Sequence, residues 1–93
     1  MNGVYLLHFD PAYRHARHYL GWAADIERRV GEHRKGMGAR LTQVVVESGA
    51  ELVLARVWTG EGRGFERTLK NQKHAPRLCP ICRGMTSQQP NGR

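Results

Sequence analysis

No stretch of this chain approaches the ~20 consecutive apolar residues that a membrane-spanning helix requires. Its start, MNGVYLLHFD, has no basic segment ahead of an apolar run long enough to act as an export signal. Neither a membrane partner nor secretion is expected, and a cytoplasmic location follows by default. Cysteine is scarce: Cys79 and Cys82 are the whole supply, and in a reducing compartment they start as thiols and not as a structural disulfide. Acidic residues are in deficit, 8 against 15 basic, for a formal charge of +7. Lysine is sparse too. Twelve of the basic residues are arginine, whose planar fork grips phosphate where lysine offers only a point charge. Repeats and low-complexity blocks are absent ahead of the polar tail 85–93, which is expected to be disordered. What is present is one domain, residues 1–84. The 93 residues leave no room for a second core, and a 40% hydrophobic content is enough to build one. A small arginine-rich domain favours a polyanionic partner, nucleic acid ahead of an anionic membrane.

Residues 3–9, GVYLLHF, read as a buried strand. DPAYRHAR opens with the turn initiator Asp-Pro and reads as a polar connection, so HYLGWA, 18–23, pairs back as the second strand of a hairpin with a long loop. Asp25 suits an N-cap, and IERRVGEHRKG continues at helical spacing until Gly36 and Gly38, with Ile26, Arg29, Val30 and His33 sharing a side. ARLTQVVVES is ambiguous between strand and helix. The stripe Leu41, Val44, Val45 and the cap position of Gly49 favour helix. ELVLARVW, 51–58, is the clearest strand, and a last helix bearing Phe65 and Leu69 stops at Pro76. The expected fold is a small α/β domain in the order β-β-α-α-β-α, with a three-stranded, mostly antiparallel sheet.

Five residues on these elements carry reactive groups: Tyr5, Tyr19, Arg29, His33 and Glu66. Tyr5 ends a G-V-Y triplet in the first strand and Tyr19 opens a Y-L-G triplet in the second. Arg29 and His33 stand one helical turn apart, and Glu66 lies in the first turn of the last helix. Taken singly, the tyrosines read as core aromatics, and Arg29, His33 and Glu66 as ordinary helix residues. As an ordered set over residues 3–75, they resemble the GIY-YIG nuclease family. G-V-Y and Y-L-G stand for its two signature triplets, Arg29 and His33 for the residues on the helix after the second triplet, and Glu66 for its metal-binding glutamate. Valine and leucine replace the two isoleucines, and Asn71 is too close to Glu66 to stand for the asparagine some members carry.

The resemblance implies a Mg²⁺-dependent (or Mn²⁺-dependent) endonuclease with one metal ion on Glu66 and the phosphate clamped by Arg29. Tyr5, Tyr19 or His33 would assist the attacking water, with the Tyr5 pKa expected to be lowered by metal and arginine. A bare catalytic domain of this kind is expected to have little sequence preference and to take single-stranded or branched DNA, with RNA open, targeted by a protein partner or by dimerisation. Repair and mobile-element processes both fit. The rival from another class is a non-catalytic nucleic-acid-binding module on the same fold. Arg28, Arg34, Lys35 and Arg40, with Arg67, Lys70, Lys73 and Arg77, could line a groove along the phosphate backbone. Trp22 could stack on bases, whereas Trp58 reads as packing at a strand end.

C-P-I-C, residues 79–82, has zinc-knuckle or redox spacing. Structural zinc needs four ligands. Only the two cysteines are fixed, with His74 available as a third and His15 or His18 unpositioned as a fourth. The expectation therefore leans away from zinc, and from a zinc or redox adaptor, towards thiols packed against the core.

Overall fold

The first strand continues well beyond Phe9. In the computed structural model, which describes residues 1–72 and 75–82, strand β1 covers Gly3–Tyr13 and β2 covers Ala16–Ala23. The segment read as a long polar connection is mostly strand, closed by a tight turn at Arg14 and His15. Packing explains the difference: Phe9 is buried and Tyr13 packs against the same cluster. Pro11, which has no N–H to give, falls where the β1–β2 register shifts between His8 and Tyr13.

Helix α1 covers Ile26–Arg34. It starts as expected at Asp25, whose carboxylate accepts from the Arg28 N–H at 3.3 Å. The valine-rich segment is helix α2, Arg40–Glu47, followed by the cap Ser48 and then Gly49. Its buried residues are Thr42 and Val45, with Leu41 and Val46 packed against the core, so the stripe is rotated away from Val44. Strand β3 is Glu51–Thr59, and helix α3 is Arg63–Gln72. A short helix α4, Ala75–Leu78, follows. Pro76 therefore sits in the first turn of a new helix, where its missing N–H goes unused.

The architecture is α/β, in the order β-β-α-α-β-α with α4 appended. The sheet order is β2-β1-β3, and both pairings are antiparallel. Helices cover both faces. Tyr5, Leu7 and Phe9 pack under α1 and α2 with Ile26, Val30 and Val45. Val4 and Leu6 face the other way, with Leu20, Leu69 and Cys79. A bulge at Ala55 keeps β3 amphipathic on both sides: Leu7 pairs with Leu54 but Leu6 with Arg56. The alternation therefore switches, sending Val57 to the α1 side and Trp58 to the α3 side. No helix among the described residues is long and apolar enough to cross a membrane.

Candidate functional site

At the β2 edge of the sheet, α1 and α3 reach round from opposite faces and leave an open groove of about 400 Å³. Tyr5, Tyr19, Arg29, His33 and Glu66 all line it. Tyr5 comes from the central strand. Its partner across the pair is Gly21, and Tyr19 is paired with the next residue on that face, Leu7. The Tyr5 and Tyr19 rings are 6.2 Å apart, and Tyr19 meets His33 edge-on at 5.1 Å. Gly21 makes room for this: a Cβ there would lie 2.6 Å from the Tyr5 hydroxyl and 2.8 Å from the Tyr19 ring. Gly38, at φ +102, is needed in the same way, because a Cβ would stand 2.7 Å from His33 Nδ1.

His33 is 1% exposed and has its tautomer fixed by its neighbours. Thr42 Oγ1 gives its only proton to the Ala39 carbonyl at 2.9 Å, so it accepts from His33 Nδ1–H at 2.8 Å. That leaves Nε2 as an acceptor, and the Tyr5 hydroxyl donates to it at 2.7 Å. Burial, and then the Arg29 charge, push the His33 pKa below its ordinary value, so the ring is a neutral acceptor. Burial and Tyr19 hold the Tyr5 phenol above its ordinary range, and Arg29 only partly opposes them. The lowering expected of Tyr5 is thus outweighed by the protein's own groups. The Tyr5 proton is instead directed at a neutral acceptor, His33 Nε2.

Arg29 is half exposed at the rim and pairs with Glu32 at 3.5 Å. Glu66 is mostly covered and pairs with Lys70 at 3.0 Å, while the Lys70 ammonium lies 6.0 Å from the Tyr19 ring centre. Three participants were not anticipated: Thr42, Glu32 and Arg63. Arg63 stands one turn before Glu66 on α3 and lines the groove. That i, i+3 spacing was a readable signal. Its guanidinium covers the Trp22 ring at 4.8 Å, and Trp22 donates to the Glu61 carbonyl at 3.0 Å, so that face of the indole already has a partner. Trp58 packs against Phe65 at 5.9 Å, as expected for a strand end.

The other basic candidates are scattered. Arg28 pairs with Glu32, and Arg40 bonds Gln43. Arg34 donates to the Leu52 carbonyl at 3.1 Å, towards the β3 edge and away from the groove. Lys35, Arg67 and Arg77 are exposed and lie outside the groove lining. Lys73, His74 and the tail 85–93 lie outside the described residues.

Four possible metal ligands converge elsewhere: His8, His18, Cys79 and Cys82, with ligand atoms all within 4.8 Å of one another. The sequence left His18 unpositioned and did not consider His8. The hairpin makes them direct cross-strand partners on one face. For Mg²⁺, the fitting ligand is the hard carboxylate of Glu66 in the polar groove, where water can fill the rest of an octahedron. Comparison with family models, with curated proteins and with solved structures gives no match to this chain.

Proposed function

We propose that the chain is a small metal-dependent nuclease of the GIY-YIG kind, hydrolysing phosphodiester bonds in DNA with little sequence preference of its own. The observation that carries this reading is the hydrogen-bonded series Tyr5, His33, Thr42 opening onto the groove that also holds Arg29 and Glu66. Arg29 and Arg63 bind the phosphate and oppose the charge that grows on its non-bridging oxygens. The attacking water gives its proton to the Tyr5 oxygen as the Tyr5 proton passes to His33 Nε2. Thr42 holds the ring in place throughout. The depressed basicity of His33 returns that proton readily, resetting the pair. Tyr19 flanks both groups and orients the water. A Mg²⁺ or Mn²⁺ ion held by Glu66 would supply Lewis-acid stabilisation of developing charge. For this, Lys70 must release the Glu66 carboxylate.

The test is cleavage of labelled single-stranded and branched DNA with Mg²⁺ or Mn²⁺. Arg29→Ala and Glu66→Ala are expected to lower turnover about 10²–10³-fold. Cleavage that persists unchanged in both would reject the site. The ion pairs that satisfy Arg29 and Glu66 favour one alternative, a binding module without catalysis. It predicts salt-sensitive DNA binding with no metal-dependent cleavage.

A further inference from the structure

We propose that His8, His18, Cys79 and Cys82 hold a structural zinc ion that fastens the C-terminal knuckle to the β1–β2 hairpin. The first argument is distance. Zinc with Zn–N near 2.05 Å and Zn–S near 2.3 Å at tetrahedral angles sets two nitrogens ~3.3 Å apart and a nitrogen and sulfur ~3.6 Å apart. His8 Nδ1 and His18 Nε2 are 3.4 Å apart. His8 Nδ1 is 3.5 Å from each sulfur, and His18 Nε2 is 3.2 Å from Cys82 Sγ.

Hydrogen bonding does not account for this arrangement. One ring nitrogen, His8 Nδ1, faces three heavy atoms at once. A nitrogen either donates one proton or offers one lone pair. Four donor atoms gathered within 4.8 Å of one another are what a cation with four ligands requires.

The chain builds this centre from two rigid parts. His8 and His18 are opposed in the antiparallel ladder, and cross-strand partners share a face. Cys79 is fully buried in the core cluster under α3, and the Pro80–Ile81 turn brings Cys82 back beside it. Two thiolates and two imidazoles select zinc over magnesium. Four protein ligands leave no open position, which marks a structural ion and not a catalytic one. Strand alternation separates it from the groove: Tyr5 faces α1, whereas His8 faces the α3 side with Val4 and Leu6. The zinc site therefore stands whether or not the chain cleaves DNA. Its effect is to fix the cluster that Cys79 shares with Leu69 of α3, the helix that carries Glu66.

The experiment uses the full chain, purified without a histidine tag. Elemental analysis is expected to give about one zinc per chain. Cobalt added to the metal-free protein should give the sulfur-to-metal charge-transfer band and intense visible bands of a tetrahedral site. Cys82→Ser and His18→Asn alter the less buried ligands and should each abolish both signals, while Glu66→Ala should keep them. Chelation of the wild type should lower its melting temperature, and zinc but not magnesium should restore it, a readout that does not depend on any variant folding. The proposal fails if zinc stays below about a tenth per chain and cobalt gives no such spectrum. It also fails if the intact mass shows two hydrogens lost to a Cys79–Cys82 disulfide, or if folded Cys82→Ser keeps its full zinc content.

Discussion

Every hydrogen-bonding position of His33 is in use, since Nδ1–H is given to Thr42 and Nε2 receives the Tyr5 proton. Charging the ring would force the Tyr5 hydroxyl to give up its donation and turn to accept from Nε2–H. Burial and Arg29 penalise the same step, and Glu32 favours it only weakly. Because the folded pKa lies below the ordinary value of 6.5, the unfolded chain binds the proton first as pH falls. Stability is then whole above about pH 6.5 and declines below it until the folded pKa is reached. Melting temperature measured from about pH 7 down to about pH 5 should fall more steeply in the wild type than in His33→Gln, which has no proton to take up. Identical slopes would refute this account. Release of zinc by acid would add a slope to both proteins, so their difference isolates His33. The sequence placed His33 near the tyrosines but did not reveal Thr42. A threonine in a valine-rich helix looks like filler until the helix phase is known.

Helix α2 is held only weakly by its own sequence. Its N-cap is Ala39, which offers no side-chain acceptor, and its first turn has no acidic residue. Three adjacent valines further lower its intrinsic propensity. It is a helix because Val45 and Thr42 are buried against the sheet and α1. Ala39→Ser should therefore add about 1 kcal/mol through a new cap and raise the melting temperature by about 4–8 °C. No rise in a thermal melt would show that the cap N–H groups are already satisfied. At this scale the element order was legible, because apolar period and glycine placement are local signals. The length of β1 was not, since a proline usually breaks a strand and only the packing of Phe9 and Tyr13 carries this one on. Charge was legible as an amount but not as a direction. Arg34 and Arg63 look equivalent in sequence, yet one bonds the Leu52 carbonyl and the other lines the groove. His8 likewise gained a partner only when the hairpin register set it opposite His18.

The +7 charge of the whole molecule implies that any DNA complex is strongly salt-dependent. If roughly four phosphates are neutralised, log K on single strands should fall with log salt at a slope of about −3. Arg63→Gln should reduce that slope by about one, and Arg34→Gln should leave it unchanged. Fluorescence anisotropy over a salt series measures both, and equal effects would show that the groove does not set the contact surface. The central position of β1 has a consequence for how the molecule is assembled. Of the three strands it is the first synthesised, yet its two partners arrive at very different times. β2 can pair at once through the tight turn, whereas Gly3 must wait for Thr59 and His8 for Cys79 and Cys82. Contacts so distant along the chain are slow to close. A nascent chain therefore carries a hairpin with one unprotected edge until β3 has been made, and the groove, which needs Glu66, matures only once α3 has followed it.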